Sequence, residues 1–438
     1  MWRMTDWWRM RCMDKLLVTN IGLLATPLGN HARSGQDQGN VRMLKNAWIL
    51  IEGETIADVG QGDPFTQCAQ MNDSSQNLTV LDAKGALVTP GLVDAHTHLV
   101  FGGWRQNELG LKLHGASYLD ILASGGGILS TVRATRSAGL NDLYVKARDA
   151  LDEMLSFGIT TAEAKSGYGL DRDTEIKQLE VIRELNEKHP VDLAATYLGA
   201  HAVPEEYQEN REGYIDFLCN QMIPLVAEHK LAEFCDVFCE KGVFTAKESR
   251  RILTVGKEYG LIPKIHADEI EAIGGTELTS EVGAISAEHL IVCRKSGIDA
   301  MAKGGTVACL LPSTSFYLGS TYAPAREMIN AGVPVAVATD FNPGSCPSLN
   351  IQLAMNLACL KYKLTPEEML TAVTLNGAAA IGKAEKVGSL EVGKQGDLVL
   401  WNAPDLNYLG YRMGSNLVRS VIKKGNIVNL KVKEENLK

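Results

Sequence analysis

Along positions 90–382 the chain alternates short apolar runs with stretches in which apolar residues recur every three to four positions. The apolar runs are too short for buried helices and are bounded by glycine and polar residues, so they read as strands. Their alternation with helical stretches is the mark of repeated βα units around a parallel sheet. Eight strands are expected, ending near His98, Glu163, His201, Glu240, His266, His289, Leu311 and Asp340, with helices between them, for example over 143–157 and 174–188. That pattern and length predict an α/β fold, a (β/α)8 TIM barrel over 89–385. The flanks have a different grammar. Segments 16–20, 47–52 and 55–60, and again 388–401 and 417–428, are short and β-like with Gly, Asp and Asn turns between them. They predict a small β-sandwich domain assembled from both ends, 14–88 with 386–438. The polar stretch 29–40 reads as a surface loop, and 1–13 as a disordered leader.

Composition narrows the class without deciding it. The 438 residues are 45% hydrophobic and 22% charged, with a net charge of −9, the profile of a globular chain that has no call for nucleic acid or an anionic membrane surface as partner. Trp2, Trp7 and Trp8 lie among arginines in the leader, but no signal-type apolar stretch follows them, and no run is long enough to span a membrane. Nine cysteines without a CxxC pair fit reduced thiols in the cytoplasm. Cys235 and Cys239 share at most one strand face, and core packing is their expected role.

Candidate chemistry gathers at the expected strand ends, the face on which barrels of this kind build their sites. His96 and His98 are separated by one residue, so on a strand they project from the same side. With His266 and Asp340 they form an imidazole and carboxylate set suited to one divalent ion, zinc or iron (Fe2+ or Fe3+), with a position left for water. Such an ion lowers the pKa of its water to about 7. Glu269, three residues past His266, is placed to take a proton from that water and pass it to a leaving nitrogen, with Asp268 as the competing acid. His289 ends the next strand and could polarise a carbonyl or hydrogen-bond the attacking oxygen. His201 ends a third. His31, His114, His189 and His229 fall in loop or helix contexts and are assigned no function. Gly125, Gly126 and Gly127 lack the frame of a phosphate-binding loop and read as a tight turn near the site.

The segments Pro90-Gly91-Leu92-Val93-Asp94-Ala95-His96-Thr97-His98, His266-Ala267-Asp268-Glu269 and Ala338-Thr339-Asp340 resemble the amidohydrolase superfamily, over nearly the whole chain. The lysine that many members carbamylate has no clear counterpart, because the expected fourth strand ends Val237-Phe238-Cys239-Glu240; this points to the single-metal branch. Within it, residues 101–108, 124–128, 163–170, 199–204 and 340–345 resemble a group that hydrolyses the ring amide of 4-imidazolone-5-propanoate to N-formimidoyl-L-glutamate in histidine breakdown. The resemblance implies that Arg105, Tyr168, His201, Asn342, Gly344 and Ser345 contact this small-molecule substrate, and that the chain forms a homodimer. The residues agree with that reading: a guanidinium at Arg105 offers a planar fork to a propionate arm, and Tyr168 sits between two glycines on a loop. The rival within the branch is a purine or pyrimidine deaminase, for which a carboxylate anchor has no use. A barrel that had lost catalysis and served only for binding would be expected to lack some of the ligands or Glu269, and all are present.

Overall fold

The computed structural model describes residues 15–67, 78–115 and 126–428; the expected leader, Gly125 and positions 429–438 lie outside them. Sixteen strands are described. The flanking set is β1 (Lys15–Thr26), β2 (Arg42–Glu52), β3 (Thr55–Gln61), β4 (Leu78–Asp82) and β5 (Leu87–Pro90). The middle contributes β6 (Leu92–Asp94), β7 (Ile159–Lys165), β8 (Asp192–Ala200), β9 (Phe234–Cys239), β10 (Ile262–Ala267), β11 (Ser286–His289), β12 (Val307–Leu310) and β13 (Val335–Val337). The chain returns to the first set with β14 (Leu398–Trp401), β15 (Val418–Lys423) and β16 (Asn426–Val428).

Strands β6 to β13 pair in chain order, parallel at each step. The ring is drawn together by a bridge between Thr97 and Phe341, with His98 N donating to Phe341 O at 2.9 Å and Asp340 N to His96 O at 3.1 Å. The fold is the expected (β/α)8 barrel, its strands apolar because they are covered on both faces. Helix Leu140–Ser156 shows how the outer layer docks, burying Leu143, Ala147, Leu151, Met154 and Leu155 at helical spacing. Strand ends differ in detail from expectation. β7 runs on to Lys165, whereas β6 and β13 stop short, leaving His96, His98 and Asp340 just beyond them.

The second sheet joins both flanks in the order β16-β15-β14-β5-β1-β2-β3, with β4 on β1. β5 is its seam: parallel to β1 and antiparallel to β14. This β-sandwich element sits at the N-terminal ends of the barrel strands, away from the candidate chemistry. There Lys423 Nζ, fully buried, lies 2.7 Å from both Asp192 at the start of β8 and Asp397 before β14. The stretch 29–40 is not a free surface loop. It forms a turn of 3-10 helix, Gly35–Gly39, whose buried Gln38 donates to Val335 O and accepts from Val335 N, both at 3.0 Å. A glutamine amide matches the backbone N–H and C=O of Val335, the latter shared with the Asn376 amide, which polarity alone could not reveal.

Candidate active site

Two strands deliver three imidazoles to one point at the C-terminal mouth of the barrel. His96 and His98 follow β6 and His266 comes from β10; their ring centroids lie 5.3 Å (His96 to His98), 4.7 Å (His96 to His266) and 5.6 Å (His98 to His266) apart. Asp340, beyond β13, brings Oδ1 to 3.4 Å from His96 Nε2 and 3.6 Å from His98 Nε2, while Thr314 Oγ1 donates to its Oδ2 at 2.6 Å. Asp340 holds a left-handed backbone, φ 57°, as do Asp268 at 52° and His289 at 69°. Local strain of this kind persists where the surroundings over-determine it, and it gathers at functional sites.

The set fits a cation. Both nitrogens of His96, Nδ1 of His98 and Nε2 of His266 are buried without a hydrogen-bond partner among the described residues, an arrangement proteins rarely leave unsatisfied. Burial, with neighbouring positive groups, holds His96 and His98 well below the usual imidazole range, and burial lowers His266 to about 3. All three are therefore neutral, the state in which imidazole binds metal. Burial raises Asp340 to about 6, an unfavourable charge that a bound cation would compensate. Ligand atoms of His96, His98 and Asp340 lie within 4.8 Å of one another, and so do those of His96, His266 and His289.

Glu269 follows His266 on the loop after β10, its side chain 15% exposed and its Oε1 3.7 Å from His289 Nδ1. Burial, reinforced by the charge of Glu240, raises it to about 7. Asp268, the competing acid, is turned away and receives the Thr276 hydroxyl at 2.5 Å.

The remaining candidates fall into two groups. Tyr168 and His201 border the cluster, with His201 stacked on His98 at 4.9 Å and 15°, and Tyr168 5.7 Å from His98. His201 Nδ1 lies 3.0 Å from Gly167 O; a carbonyl only accepts, so Nδ1 carries the proton and Nε2 is left as an acceptor. Burial lowers this ring to about 4. Arg105, Asn342, Gly344 and Ser345 form a second patch. The Arg105 fork is already engaged: Nε and Nη2 donate to the two oxygens of Glu108, each at 2.9 Å. Glu108 also receives Gly127 N at 2.7 Å, tying the described part of the glycine run to this patch. Arg105 Nη1 lies against Gly344, where an added Cβ would come within 2.1 Å; with the guanidinium held by Glu108, that close approach is a reason for glycine. The Asn342 amide builds the turn, donating to Asp340 O at 2.7 Å and Ser345 Oγ at 2.9 Å and receiving Gly344 N and Ser345 N at 2.8 and 2.7 Å.

Sequence reasoning missed a layer beneath the mouth. Lys165 Nζ lies 2.9 Å from Glu163 and 2.7 Å from Asp236, and Asp236 reaches His266 Nδ1 at 3.0 Å, all but His266 completely buried. Lys264 adds a 2.8 Å contact to Glu163. Charged residues two apart in a buried strand were the available signal, because both must face the barrel interior. Glu175 was also missed. Buried in the first turns of helix Arg172–Lys188, it accepts from Gly167 N, Gly169 N and Leu170 N at 3.2, 2.8 and 2.9 Å.

Comparison with known proteins agrees with this geometry. The amidohydrolase family profile matches residues 87–428. The imidazolonepropionase of Alkaliphilus metalliredigens is 53% identical over 418 residues, covering 95% of this chain and 98% of that protein; that of Brevibacillus brevis is 50% identical, covering 94% and 97%. Among solved structures, Escherichia coli guanine deaminase superposes with a TM-score of 0.71 at 16% identity, covering 95% of this chain and 99% of that one. A zinc complex of atrazine chlorohydrolase TrzN from Arthrobacter aurescens does so at 0.64 and 17%, covering 94% of each. Those two share the fold. Identity near one half over almost the full length is a closer kinship, and the chain belongs to the imidazolonepropionase family of the amidohydrolases.

Proposed function

We infer that this chain hydrolyses the ring amide of 4-imidazolone-5-propanoate, giving N-formimidoyl-L-glutamate in histidine degradation. The observation that carries the chemistry is the convergence of His96, His98, His266 and Asp340, with unpartnered imidazole nitrogens, beside a carboxyl group poised near neutrality. A divalent ion, zinc or iron, held by these four would supply an acidified water and a Lewis acid. Glu269 takes the proton from the attacking water as its oxygen bonds to the ring carbonyl carbon. The same carboxyl then delivers that proton to the ring nitrogen as the carbon–nitrogen bond breaks. His289, kept neutral by burial, presents an N–H to the carbonyl oxygen, with Glu269 beside it. Tyr168 and His201 border the imidazolone ring, His201 accepting at Nε2. Arg105, with Gly344 against it and Ser345 next along the same turn, receives the propionate arm, and Glu108 holds the guanidinium in place. Asn342 serves through the turn it builds. We take the chain to work in the cytoplasm as a homodimer, with 14–88 and 386–438 as a composite domain supporting the barrel at 89–385; among the described residues no helix is long and apolar enough to cross a membrane.

The experiment combines metal content with turnover, followed as loss of imidazolone absorbance and appearance of formimidoylglutamate. Chelation should abolish hydrolysis and zinc or ferrous iron restore it. Undiminished turnover in a verified metal-free sample defeats the reading. His96→Ala should lose the ion while His289→Ala keeps it; equal loss would make His289 a ligand.

A further inference from the structure

We propose that Lys165 and Asp236 are positioning residues for His266: the buried ammonium fixes the Asp236 carboxylate, and that carboxylate fixes the Nδ1–H of the imidazole. The proposal rests on His266 being a metal ligand, as inferred above, and assigns a function to the charged layer inside the barrel.

The argument begins with strand alternation. On β7, Glu163 and Lys165 are two apart and face inward together; on β10, Lys264 and His266 do the same. Asp236 enters from β9 between them. One Asp236 oxygen lies 2.7 Å from Lys165 Nζ and 3.0 Å from His266 Nδ1. The other lies 3.1 Å from His266 Nδ1 and receives the backbone N–H of Val237 at 2.7 Å. The carboxylate is thus held on both oxygens. A second contact to Glu163, at 2.9 Å, anchors the ammonium from its far side. An imidazole whose Nδ1 faces a carboxylate carries its proton there and keeps a lone pair on Nε2. Nε2 of His266 is the atom left buried without a partner, so the chain of contacts aims that lone pair into the candidate metal site. The inner group formed by Asp236, His266 and Glu288 has ligand atoms within 4.8 Å of one another, yet the Lys165 ammonium already sits against it. A lysine there is a resident cation, permanently present where a second metal would otherwise be drawn.

Carboxylate partners of ligating histidines typically change metal affinity by 10–100-fold when removed. Asp236→Asn should therefore weaken zinc binding 10–100-fold in competition with a chromophoric chelator. Lys165→Met should act in the same direction. Because Lys165 works through Asp236, the double variant should bind zinc no more weakly than Asp236→Asn alone. A merely structural role predicts instead that the two losses add and follow the thermal stability of the metal-free proteins, and that result overturns the proposal. Should the variants fail to fold, nitrogen-15 spectra of histidine-labelled, zinc-loaded wild type still decide: a proton on His266 Nδ1 is required, and one on Nε2 refutes it. His266→Ala separates the two levels. If it retains zinc affinity, the ligand set falls and takes this proposal with it. If it loses zinc while Asp236→Asn does not, this proposal alone falls.

Discussion

A carboxyl group suited to shuttling protons near neutrality carries a stability penalty, and Glu269 is expected to show both. Its pKa is raised by burial from 4.5 to about 7. As a base it must be ionised, so kcat/KM should fall on the acid side as this carboxyl takes up its proton, and Glu269→Gln should lower kcat by about 10²–10⁴ with the ion still bound. Retention of full kcat would move the shuttle elsewhere. The stability effect has the opposite sense. The folded chain keeps this proton up to about pH 7 and the unfolded chain releases it near 4.5, so the group's contribution worsens as pH rises between those values. Metal-free Glu269→Gln should match wild type near pH 4 and exceed it at pH 8, by up to about 3 kcal/mol; equal urea midpoints at pH 8 would contradict this. At Arg105 the fork is shared with Glu108, so Arg105→Lys loses both partners' geometry. It should recover only part of the one to two decades in kcat/KM, about 1.5–3 kcal/mol, lost in Arg105→Ala. A substrate analogue with its propionate amidated tests this, since Arg105→Ala should discriminate much less between the two compounds. At this scale the convergence of His96, His98, His266 and Asp340 was legible because each lies at the end of an apolar run, with Glu269 three residues past one. Glu163 misled for the same reason: a charge inside a buried strand was read as its end, and Lys165 and Asp236 went unnoticed.

One helix sets the loop that borders the substrate site. Glu175 and Gln178, both buried in helix Arg172–Lys188, reach back over the segment carrying Tyr168: Glu175 takes three backbone donors, and Gln178 Oε1 receives Tyr168 N at 3.2 Å. Gln178 Nε2 in turn donates to Val100 O at 2.7 Å, linking the loops after the first two barrel strands. Glu175→Gln turns an N–H toward these donors. It is expected to raise KM about tenfold or more, from the loss of charge-assisted bonds, with metal content unchanged. A fall in metal content, with KM unaltered, would show that the loop serves the ligands instead. Periodicity revealed this helix, but not its earlier start at Arg172, which Asp171 sets by accepting from Thr174 N at 2.7 Å. The loop's dependence on the helix was invisible for a plain reason: glutamate in a first helical turn is common enough to signal nothing.

Across the whole molecule, the two sheets are pinned at the end opposite the chemistry by Lys423 between Asp192 and Asp397. Truncating one partner of a buried ion group leaves the others uncompensated, so Lys423→Met should lower unfolding stability by about 3 kcal/mol or more in urea titration, with zinc affinity unaltered. A loss of affinity would mean that the lock reaches through the barrel to its mouth. The barrel and the two-ended sheet were both legible as a change of grammar along the chain; the lock was not, because its members come from three distant segments. The same two-ended sheet has a consequence in time. Strand β5 needs β14 on one side, and roughly 300 residues separate Pro90 from Leu398. At about 5–20 residues per second of synthesis, that edge waits roughly 15–60 s on the ribosome with its hydrogen-bonding groups open. A nascent chain stalled before Leu398 therefore offers an unpaired strand edge to its neighbours on the same message, and slowing initiation, which spaces those neighbours apart, should raise the soluble yield more than slowing elongation does.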